Sequence, residues 1–306
     1  MNIQLSDHFN YKKLFLFTLP SVVMMVFTSV YCVVDGFFVS NFAGKTAFAA
    51  INLIMPFIMI LGGIGFMIGT GGSALVSYTL GTGDKEKANR YFSMLVYFTI
   101  LAGILLTVLG IIFVRPIAEL FGADESMMDT CVLYGRIVIA FNAAFMLQNI
   151  FQSFFVVAEK PRLGLIVTIA AGVTNMVLDA LFVGVFKWGT VGAALATGIS
   201  QSIGGLLPLL YFALPNNSPL QLTRTGFELA PLLKASSNGC SELMSNVASS
   251  LIGIVYNYQL MRLGGENAVA TYGVLMYIQF VFIAIFIGYS VGSAPIIGYH
   301  YGAGNF

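Results

Sequence analysis

Charged residues are scarce in this chain of 306 residues, because only 9% are Asp, Glu, Lys or Arg while 58% are apolar. A soluble domain carries about 25% charged residues. The shortage of charge therefore excludes an ordinary soluble domain and predicts a polytopic membrane protein whose main partner is the lipid bilayer. The net charge of +1, without a long basic run, gives no reason to expect a nucleic-acid partner.

Cysteine and histidine are also rare, with three and two residues. Cys32, Cys131 and Cys240 lie in or beside apolar segments and lack the spacing of zinc or redox motifs. His8 and His300 lie near opposite ends of the chain. We therefore interpret the cysteines as small buried apolar residues and expect no disulfide, metal centre or cofactor. No pairing of a nucleophile with a base suggests an enzyme.

Long apolar runs dominate the rest of the sequence. A membrane span needs about 20 apolar residues, or more if it is tilted. By this measure the sequence predicts eight spans, at 14–39, 47–79, 92–114, 130–158, 163–186, 190–214, 232–261 and 267–300. Pro20, Pro56, Pro208 and Pro295 fall inside spans, where proline can bend a helix. The predicted fold class is therefore all-α and membrane-spanning.

The basic residues between the spans predict the orientation. One side holds Lys12, Lys13, Lys85, Lys87, Arg90, Lys160, Arg162, Arg224 and Lys234, and the other holds Lys45, Arg115, Lys187 and Arg262. Nine against four predicts a cytoplasmic N-terminus by the positive-inside rule, in a multi-pass protein of the cell membrane. Spans 1 and 5 then run outward, which places Asp35 and Asp179 in the outer half of the bilayer.

Asp35 and Asp179 are the most informative residues, because each lies inside an apolar stretch. A carboxylate at this depth costs a few kcal/mol on insertion scales and is typical of an ion or substrate path. Tyr31 and Asn175 precede the two acids by four residues, so each pair shares one helix face. One alternative stays open for Asp179 and Asn175, namely a hydrogen bond that only holds helices together. The alternative for Asp35 is a position at the outer interface.

Other polar residues within predicted spans give weaker signals. Gln148, Asn149 and Gln152 are three amides within five residues, and Glu242 lies early in span 7. They are candidates for the lining of a substrate cavity. Hydrogen bonds within the bundle explain the amides equally well, and Glu242 could extend to the membrane interface as long polar side chains do.

The sequence also contains an internal repeat with an offset of 221 residues, which aligns 44–83 with 265–304. The identical positions are Gly44/Gly265, Ala47/Ala268, Ala49/Ala270, Met55/Met276, Ile64/Ile285, Gly71/Gly292, Tyr78/Tyr299, Gly81/Gly302 and Gly83/Gly304. Six spans separate the copies, and an even number keeps the orientation, so the repeat is parallel.

This repeat predicts a two-lobe transporter architecture. Residues 1–214 form a complete first lobe of six helices, 215–229 form a cytoplasmic linker, and 230–306 hold the first two helices of a second lobe. Four further spans would complete that second lobe. We therefore expect the chain to be a fragment of a twelve-span protein.

Four segments resemble the multidrug and toxic compound extrusion (MATE) transporters. They are Tyr31-Cys-Val-Val-Asp35 after Pro20, Leu80-Gly-Thr-Gly-Asp84-Lys-Glu-Lys-Ala88-Asn89, Asn175-Met-Val-Leu-Asp179-Ala-Leu-Phe, and Gly189-Thr-Val-Gly192 through Thr197 to Gln201. The last two segments together are the most specific part of the resemblance, which extends over the whole chain.

The resemblance implies an antiporter that exchanges inward-moving H⁺ or Na⁺ for outward-moving amphipathic, often cationic, organic compounds by alternating access. It places a cation site at Asp35, Asn175, Asp179 and Thr197, with Tyr31 nearby, and it implies no cofactor beyond the coupling ion and no obligate protein partner. Two alternatives stay open. One is a flippase for lipid-linked precursors, which would need a more cationic cavity than Arg136 alone provides, and the other is a membrane fragment that does not transport.

Overall fold

Long helices make up this protein. The computed structural model describes residues 3–123 and 125–305, and within those ranges every regular element is helical. The α-helices are α1 (Tyr11–Phe38), α2 (Lys45–Gly81), α3 (Lys85–Leu120), α4 (Glu125–Ala140), α5 (Asn142–Val157), α6 (Pro161–Asp179), α7 (Gly189–Ala213) and α8 (Leu229–Gly302). Two π-helical segments, Val39–Ala43 and Ala180–Val185, extend α1 and α6. The predicted all-α fold is confirmed.

Six helical segments within the described residues are long and apolar enough to cross a membrane. They are Tyr11–Ala43, Ala47–Gly81, Lys85–Leu120, Pro161–Val185, Gly189–Ala213 and Ile278–Gly302. These segments correspond to predicted spans 1, 2, 3, 5, 6 and 8. The predicted span 232–261 is not among these six helical segments. Some of its side chains lie outside the residues that the structure describes.

The fourth predicted span, 130–158, is divided in the structure. The helical segments Met127–Ala140 and Asn142–Val157 meet at an angle of 54° at Phe141. No proline occurs there. Instead the Phe141 ring lies directly against Gly198 of α7, where a Cβ atom would be only 2.2 Å from the ring. The bend therefore comes from packing between helices.

The eighth helix doubles back on itself. Its helical hydrogen bonding is continuous over 74 residues, yet the rings of Tyr256 and Tyr272 stack with centroids 5.4 Å apart. Sixteen residues of straight helix would separate them by about 24 Å. We call 229–256 the first arm and 272–302 the second arm. The predicted turn between spans 7 and 8, with the repeat positions Gly265, Ala268 and Ala270, falls where side chains lie outside the described residues.

A buried aromatic cluster fixes the first lobe at the end where α1 begins. Phe92 of α3 lies 4.8 Å from Phe154 of α5 and 5.0 Å from Phe212 of α7, measured between ring centroids. Phe151 stacks on Phe212 at 5.6 Å. Aromatic pairs of this kind contribute about 0.5–1.5 kcal/mol each beyond area burial. The cluster therefore ties three helices of the lobe together.

The two copies of the repeat meet in a reciprocal contact. A Cβ atom on Gly81 of α2 would collide with the backbone of Tyr299, and one on Gly302 would collide with the backbone of Tyr78. Under the offset of 221, Gly302 is the equivalent of Gly81 and Tyr299 is the equivalent of Tyr78, so each contact joins the same two positions with the copies exchanged. Such reciprocity is the signature of a two-fold relation between equivalent segments.

A second reciprocal pair lies further along the same helices. Gly71 of α2 lies against the Gly239 backbone, and Gly292 lies against Thr18, which is the residue equivalent to Gly239 in the first copy. The second arm of α8 thus packs between α1 and α2. The first arm packs on α2. These contacts agree with a parallel, two-lobe arrangement.

The segment before α1 reaches both copies. Leu5 is only 1% exposed, and its backbone N–H donates to Oε1 of Glu159, between α5 and α6, at 2.7 Å. The Phe9 ring packs edge-on against Phe17 of α1 and against His300 of the second arm. We call residues 3–10 the N-terminal strap, because it fastens the first lobe to the second arm.

Candidate cation site

The helices that carry the two acids change their winding at those acids. The first π-helical segment begins four residues after Asp35, and the backbone oxygen of Asp35 accepts the Val39 N–H. Helix α6 ends at Asp179, and the second π-helical segment begins at the next residue. Short π segments inside α-helices occur frequently at functional sites. Both acids therefore sit where the helix geometry departs from regular α.

Close packing of α1 on α6 brings these positions together. A Cβ atom on Gly172 would lie 2.5 Å from the Phe27 ring and 2.8 Å from the Tyr31 ring, so the helices touch one to two turns before the acids. Because the helices run in the same direction, the chain beyond this contact carries Asp35 and Asp179 toward each other.

The carboxyl groups of Asp35 and Asp179 lie close enough to influence each other electrostatically. Asp179 is completely buried. Within the described part of the chain, neither of its oxygens has a hydrogen-bond partner, and one oxygen of Asp35 is buried in the same condition. Burial of ionised, unpartnered carboxylates is strongly unfavourable. A proton or a cation between the two groups would remove that cost.

Asn175 and Thr197 flank the pair. Asn175 is 2% exposed and lies one turn before Asp179 on α6, with an unpartnered side-chain oxygen. Helix α7 runs antiparallel to α6, and Gly192 lies against Phe182. Thr197, five residues later, therefore lies at the level of Asp179, and its hydroxyl is also buried without a partner.

Tyr31 connects this site to the amides of α5, since its hydroxyl interacts with the Gln148 side chain. Gln148 and Gln152 are each 5% exposed with unpartnered carbonyl oxygens. Asn149 differs, because its amide donates to the Gly62 carbonyl of α2 at 3.3 Å. The sequence analysis left open whether the amides line a cavity or form hydrogen bonds within the bundle. For Asn149 the structure contains such an interhelical hydrogen bond.

Glu242 lies apart from these residues, on the first arm of α8. It is half-buried, and its backbone oxygen accepts the side-chain amide of Asn246. The contacts recorded for the described residues do not bring its carboxylate to Asp35 or Asp179.

Three polar residues near the site were not singled out by the sequence analysis. Tyr134 of α4 is 1% exposed and lies within electrostatic range of both Asp35 and Asp179. Asn142, just after the bend, and Gln201 of α7 are buried and carry unpartnered oxygens. The available signal was a tyrosine hydroxyl inside an apolar run, which is weak because tyrosine is common in membrane proteins.

The donor set consists of carboxylate, amide and hydroxyl oxygens. Hard cations such as Na⁺ prefer these ligands, and a carboxylate pair can equally hold a shared proton. Among the described residues, no group of three or more His, Cys, Asp or Glu side chains is placed to hold a metal ion. The chemistry of the donor set therefore fits both H⁺ and Na⁺ and does not distinguish between them.

The family follows from comparison with known proteins. A family model, MatE, matches residues 20–181 and 243–306. This chain belongs to the MatE family. Both matched segments contain copies of the internal repeat, and the first contains Asp35, Asn175 and Asp179. Membership places the chain in a family of membrane proteins and agrees with its apolar helices.

Two curated relatives are similar over most of the chain. The multidrug export protein MepA of Staphylococcus haemolyticus (strain JCSC1435) is 25% identical over 293 residues, and MepA of Staphylococcus aureus (strain MRSA252) is 25% identical over 297. Each alignment covers 95% of this chain and 64% of the relative. The chain thus spans about two thirds of the length of these proteins.

Solved structures share the fold. A crystal structure of MATE in complex with MaL6 superimposes with a TM-score of 0.90 at 22% identity, covering 96% of this chain and 66% of that one. An outward-facing multidrug resistance MATE transporter of the MOP superfamily gives 0.89 at 22% identity, with the same coverage. At these identities the likeness establishes the fold.

Proposed function

We propose that this chain is part of a cation-coupled antiporter that exports amphipathic, often cationic, drugs or toxic compounds by alternating access. The observation that carries the proposal is the buried Asp35–Asp179 pair with its unpartnered oxygens. Membership in the MatE family and the similarity to proteins named multidrug export proteins support the substrate class.

In this mechanism the ion binds at Asp35 and Asp179, with Asn175, Thr197, Tyr31 and Tyr134 around them. Neutralising the pair removes the cost of two buried charges, so α1 and α6 can pack differently when the ion is bound. A ligand shifts a conformational equilibrium only by its different affinity for the two states. The ion therefore drives the lobes between outward-open and inward-open forms.

The contacts between the repeats support an outward-open form. The glycine contacts join 71–81 of α2 and 18 of α1 to α8 near the end of the bundle where the chain begins, and the N-terminal strap lies at that same end. We propose that this end faces the cytoplasm, in a cell-membrane protein, as the positive-inside rule predicts. A closed inner end and an open outer end would expose the cation site to the outside.

We propose the domain division predicted from the repeat, with lobes at 1–214 and 230–306 and a linker at 215–229. The linker is anchored to the start of α3. The Gln221 N–H donates to the Asn89 side chain at 2.9 Å, and the Thr223 N–H donates to the Ser93 hydroxyl at 2.8 Å. Leu220 is fully buried beside them. This anchoring gives the second lobe a fixed starting point.

Gln148 and Gln152 remain proposed lining residues of a polar path in the first lobe, with Glu242 a separate proposal on the first arm. Arg136, the one basic candidate for a flippase cavity, is exposed on α4. No observation therefore favours the flippase alternative.

The test uses the full-length parent protein in liposomes, with export of a fluorescent cationic dye driven by an imposed H⁺ or Na⁺ gradient. We expect one gradient to drive export, and we expect Asp179→Asn to reduce the gradient-driven rate at least about tenfold because it removes the buried charge that binds the ion. Asp129→Asn, an exposed acid of α4, is the matched control and should transport normally. Undiminished ion-driven export by Asp179→Asn would show that the proposed site is wrong.

A further inference from the structure

An amphipathic groove lies at the strap end of the first lobe, away from the cation site. It has a volume of about 880 Å³ and lies between the start of α1, the start of α6 and the end of α7. Its apolar wall includes Leu16, Pro20, Ile166 and Leu214, and Lys160 and Arg162 line its polar end.

Within the described residues, the two basic side chains at the polar end form no ion pair. Within the described residues, neither Lys160 nor Arg162 has a carboxylate within 4.0 Å. Glu159 also lines the groove, and its carboxylate acts electrostatically on Lys160, but it accepts the Leu5 N–H of the strap. Lys160 and Arg162 flank Pro161, the first residue of α6, where the helix dipole adds positive potential.

The apolar wall of the groove is exposed on the outside of the helices. Ile166 is 61% exposed and follows Arg162 by one helical turn, while Leu214 is 62% exposed at the end of α7. Positive charge therefore lies at one end of the groove, and exposed apolar side chains continue along the groove from that end. A glycerophospholipid with an anionic headgroup has the same order of groups.

We propose that this groove binds an anionic phospholipid of the leaflet at the strap end, with the phosphate beside Lys160 and Arg162 and the acyl chains along Ile166 and Leu214. A zwitterionic choline lipid would bring a second cation toward the same basic pair and bind less well. Free phosphate would lack every contact with the apolar wall. Ile3 of the strap also lines the groove, so the bound lipid would brace the strap.

The test places a tryptophan in the groove of the full-length protein. Ile166→Trp is introduced into a Trp188→Phe background, since Trp188 is the one tryptophan of this chain, and the same background without the reporter supplies the fluorescence to be subtracted. The protein is reconstituted into vesicles containing either phosphatidylglycerol or phosphatidylcholine with brominated acyl chains. We expect phosphatidylglycerol to occupy the groove with about fivefold preference per basic residue.

Two double variants make the result specific. Lys160→Gln with Arg162→Gln should abolish the preference while leaving quenching by phosphatidylcholine unchanged. Lys12→Gln with Arg224→Gln, two exposed basic residues on the same side of the membrane but outside the groove, should keep it. Equal quenching by both lipids, a preference that survives in the groove variant, or reversal of the preference by millimolar glycerol phosphate would each overturn the proposal.

Discussion

Asp179 is the most deeply buried acid of the first lobe, and the groups around it are oxygen-rich. Asp35, Asn175 and Thr197 contribute oxygens that lack partners among the described residues, and Tyr134 lies within electrostatic range of both carboxyl groups. In a purely structural network each of these groups would be expected to find a partner, because an unsatisfied buried polar group costs about 1–3 kcal/mol. We propose that a bound ion satisfies several of these groups together.

Tyr134 provides a test of the site at single-atom resolution. Tyr134→Phe removes only the hydroxyl and keeps the ring packed among Cys131, Val138 and Ile139. We expect the ion concentration at half-maximal export to change severalfold, because the buried hydroxyl dipole acts electrostatically on the two carboxyl groups. The full-length protein is assayed at a series of ion concentrations.

The matched control is Tyr97→Phe, which removes a hydroxyl that donates to the Thr223 backbone far from the carboxylates. It should leave the ion dependence unchanged. An unaltered ion dependence in Tyr134→Phe would remove this residue from the site.

Glu159 gives the strap a pH dependence. Burial raises the pKa of its carboxyl above the ordinary value of 4.5, and the Leu5 N–H offsets part of that increase. A raised pKa in the folded state means that the stabilisation is fully present below pH 4.5 and is lost as the pH rises through the raised value. The folded state in which Glu159 is half-buried beside the strap should therefore lose stability with rising pH.

Hydrogen exchange at the Leu5 amide would measure this change, after correction for the intrinsic pH dependence of exchange. Glu159→Gln keeps an oxygen acceptor for Leu5 and removes the titration, so its protection should stay flat over the same range. Equal pH dependence in the parent and in Glu159→Gln would contradict the assignment.

The sequence identified Asp35 and Asp179 because a charge in an apolar run is visible without any knowledge of contacts. Tyr134 and Gln201 could not be found in the same way, since tyrosine and glutamine occur in many spans for other reasons. Their positions depend on α7 packing against α6 and on α4 packing against α7. That information lies between elements and not in any one segment.

At the scale of elements, glycine sets how closely α2 and α8 approach. Gly71 and Gly81 lie where any side chain would collide with the backbone of α8. Small residues at such positions allow close van der Waals packing, which drives helix association inside a membrane. The helices themselves were predictable from the lengths of the apolar runs. The seam, as we call the close contacts of Gly71 and Gly81 with α8, explains why α2 and α8 pack together.

Replacing one of these glycines should loosen the seam. Gly71→Ala places a methyl group against Ala235 and Gly239, and overpacking of this kind costs about 1–3 kcal/mol. Unfolding of the full-length protein in mixed detergent micelles should show a loss of that size. Gly292→Ala, at the equivalent position of the second copy, should cost less, because the added atom would lie 3.0 Å or more from its nearest neighbour, Thr18.

Gly253→Ala is the matched control, since nothing lies within 4 Å of the added atom. It should be neutral or stabilising because alanine favours a helix by about 1 kcal/mol over glycine. A loss of stability as large as that of Gly71→Ala would show that the seam has no special role.

The bends of helices were less predictable than their positions. Helices α1, α2, α7 and α8 continue as helix through Pro20, Pro56, Pro208 and Pro295. The sharp break occurs instead at Phe141, without proline, where α7 offers Gly198 to the aromatic ring. Proline, the local sequence signal for bending, therefore occurs in helices that continue through it. The contact between Phe141 and Gly198, where the break occurs, was not visible in the sequence.

For the whole molecule, the reciprocal glycine contacts define a pseudo-two-fold axis that passes close to Ser77 and Gly298. These residues are themselves equivalent under the offset of 221 and lie against each other. Ser77 and Gly298 therefore mark the point where the two copies meet at the closed end. The repeat could be detected from sequence, but the position of the axis needed the contacts.

A disulfide at this point should lock the closed end. A Cβ atom on Gly298 would lie 3.5 Å from Cβ of Ser77, within the usual range of about 3.5–4.5 Å for disulfides. Oxidised Ser77→Cys/Gly298→Cys in the full-length protein should lose export, and reductant should restore it. Each single variant should transport regardless of oxidant, whereas full export by the cross-linked protein would show that this end need not open.

The central claim is that the Asp35–Asp179 pair holds the coupling ion, and infrared difference spectroscopy of the purified full-length protein tests it most directly. If H⁺ is the ion, we expect a protonated-carboxyl C=O band that disappears on deprotonation and is absent from Asp179→Asn. If Na⁺ is the ion, we expect a Na⁺-dependent shift of the carboxylate bands that Asp179→Asn abolishes. Spectra that respond to H⁺ or Na⁺ identically in the parent and in Asp179→Asn would contradict the claim.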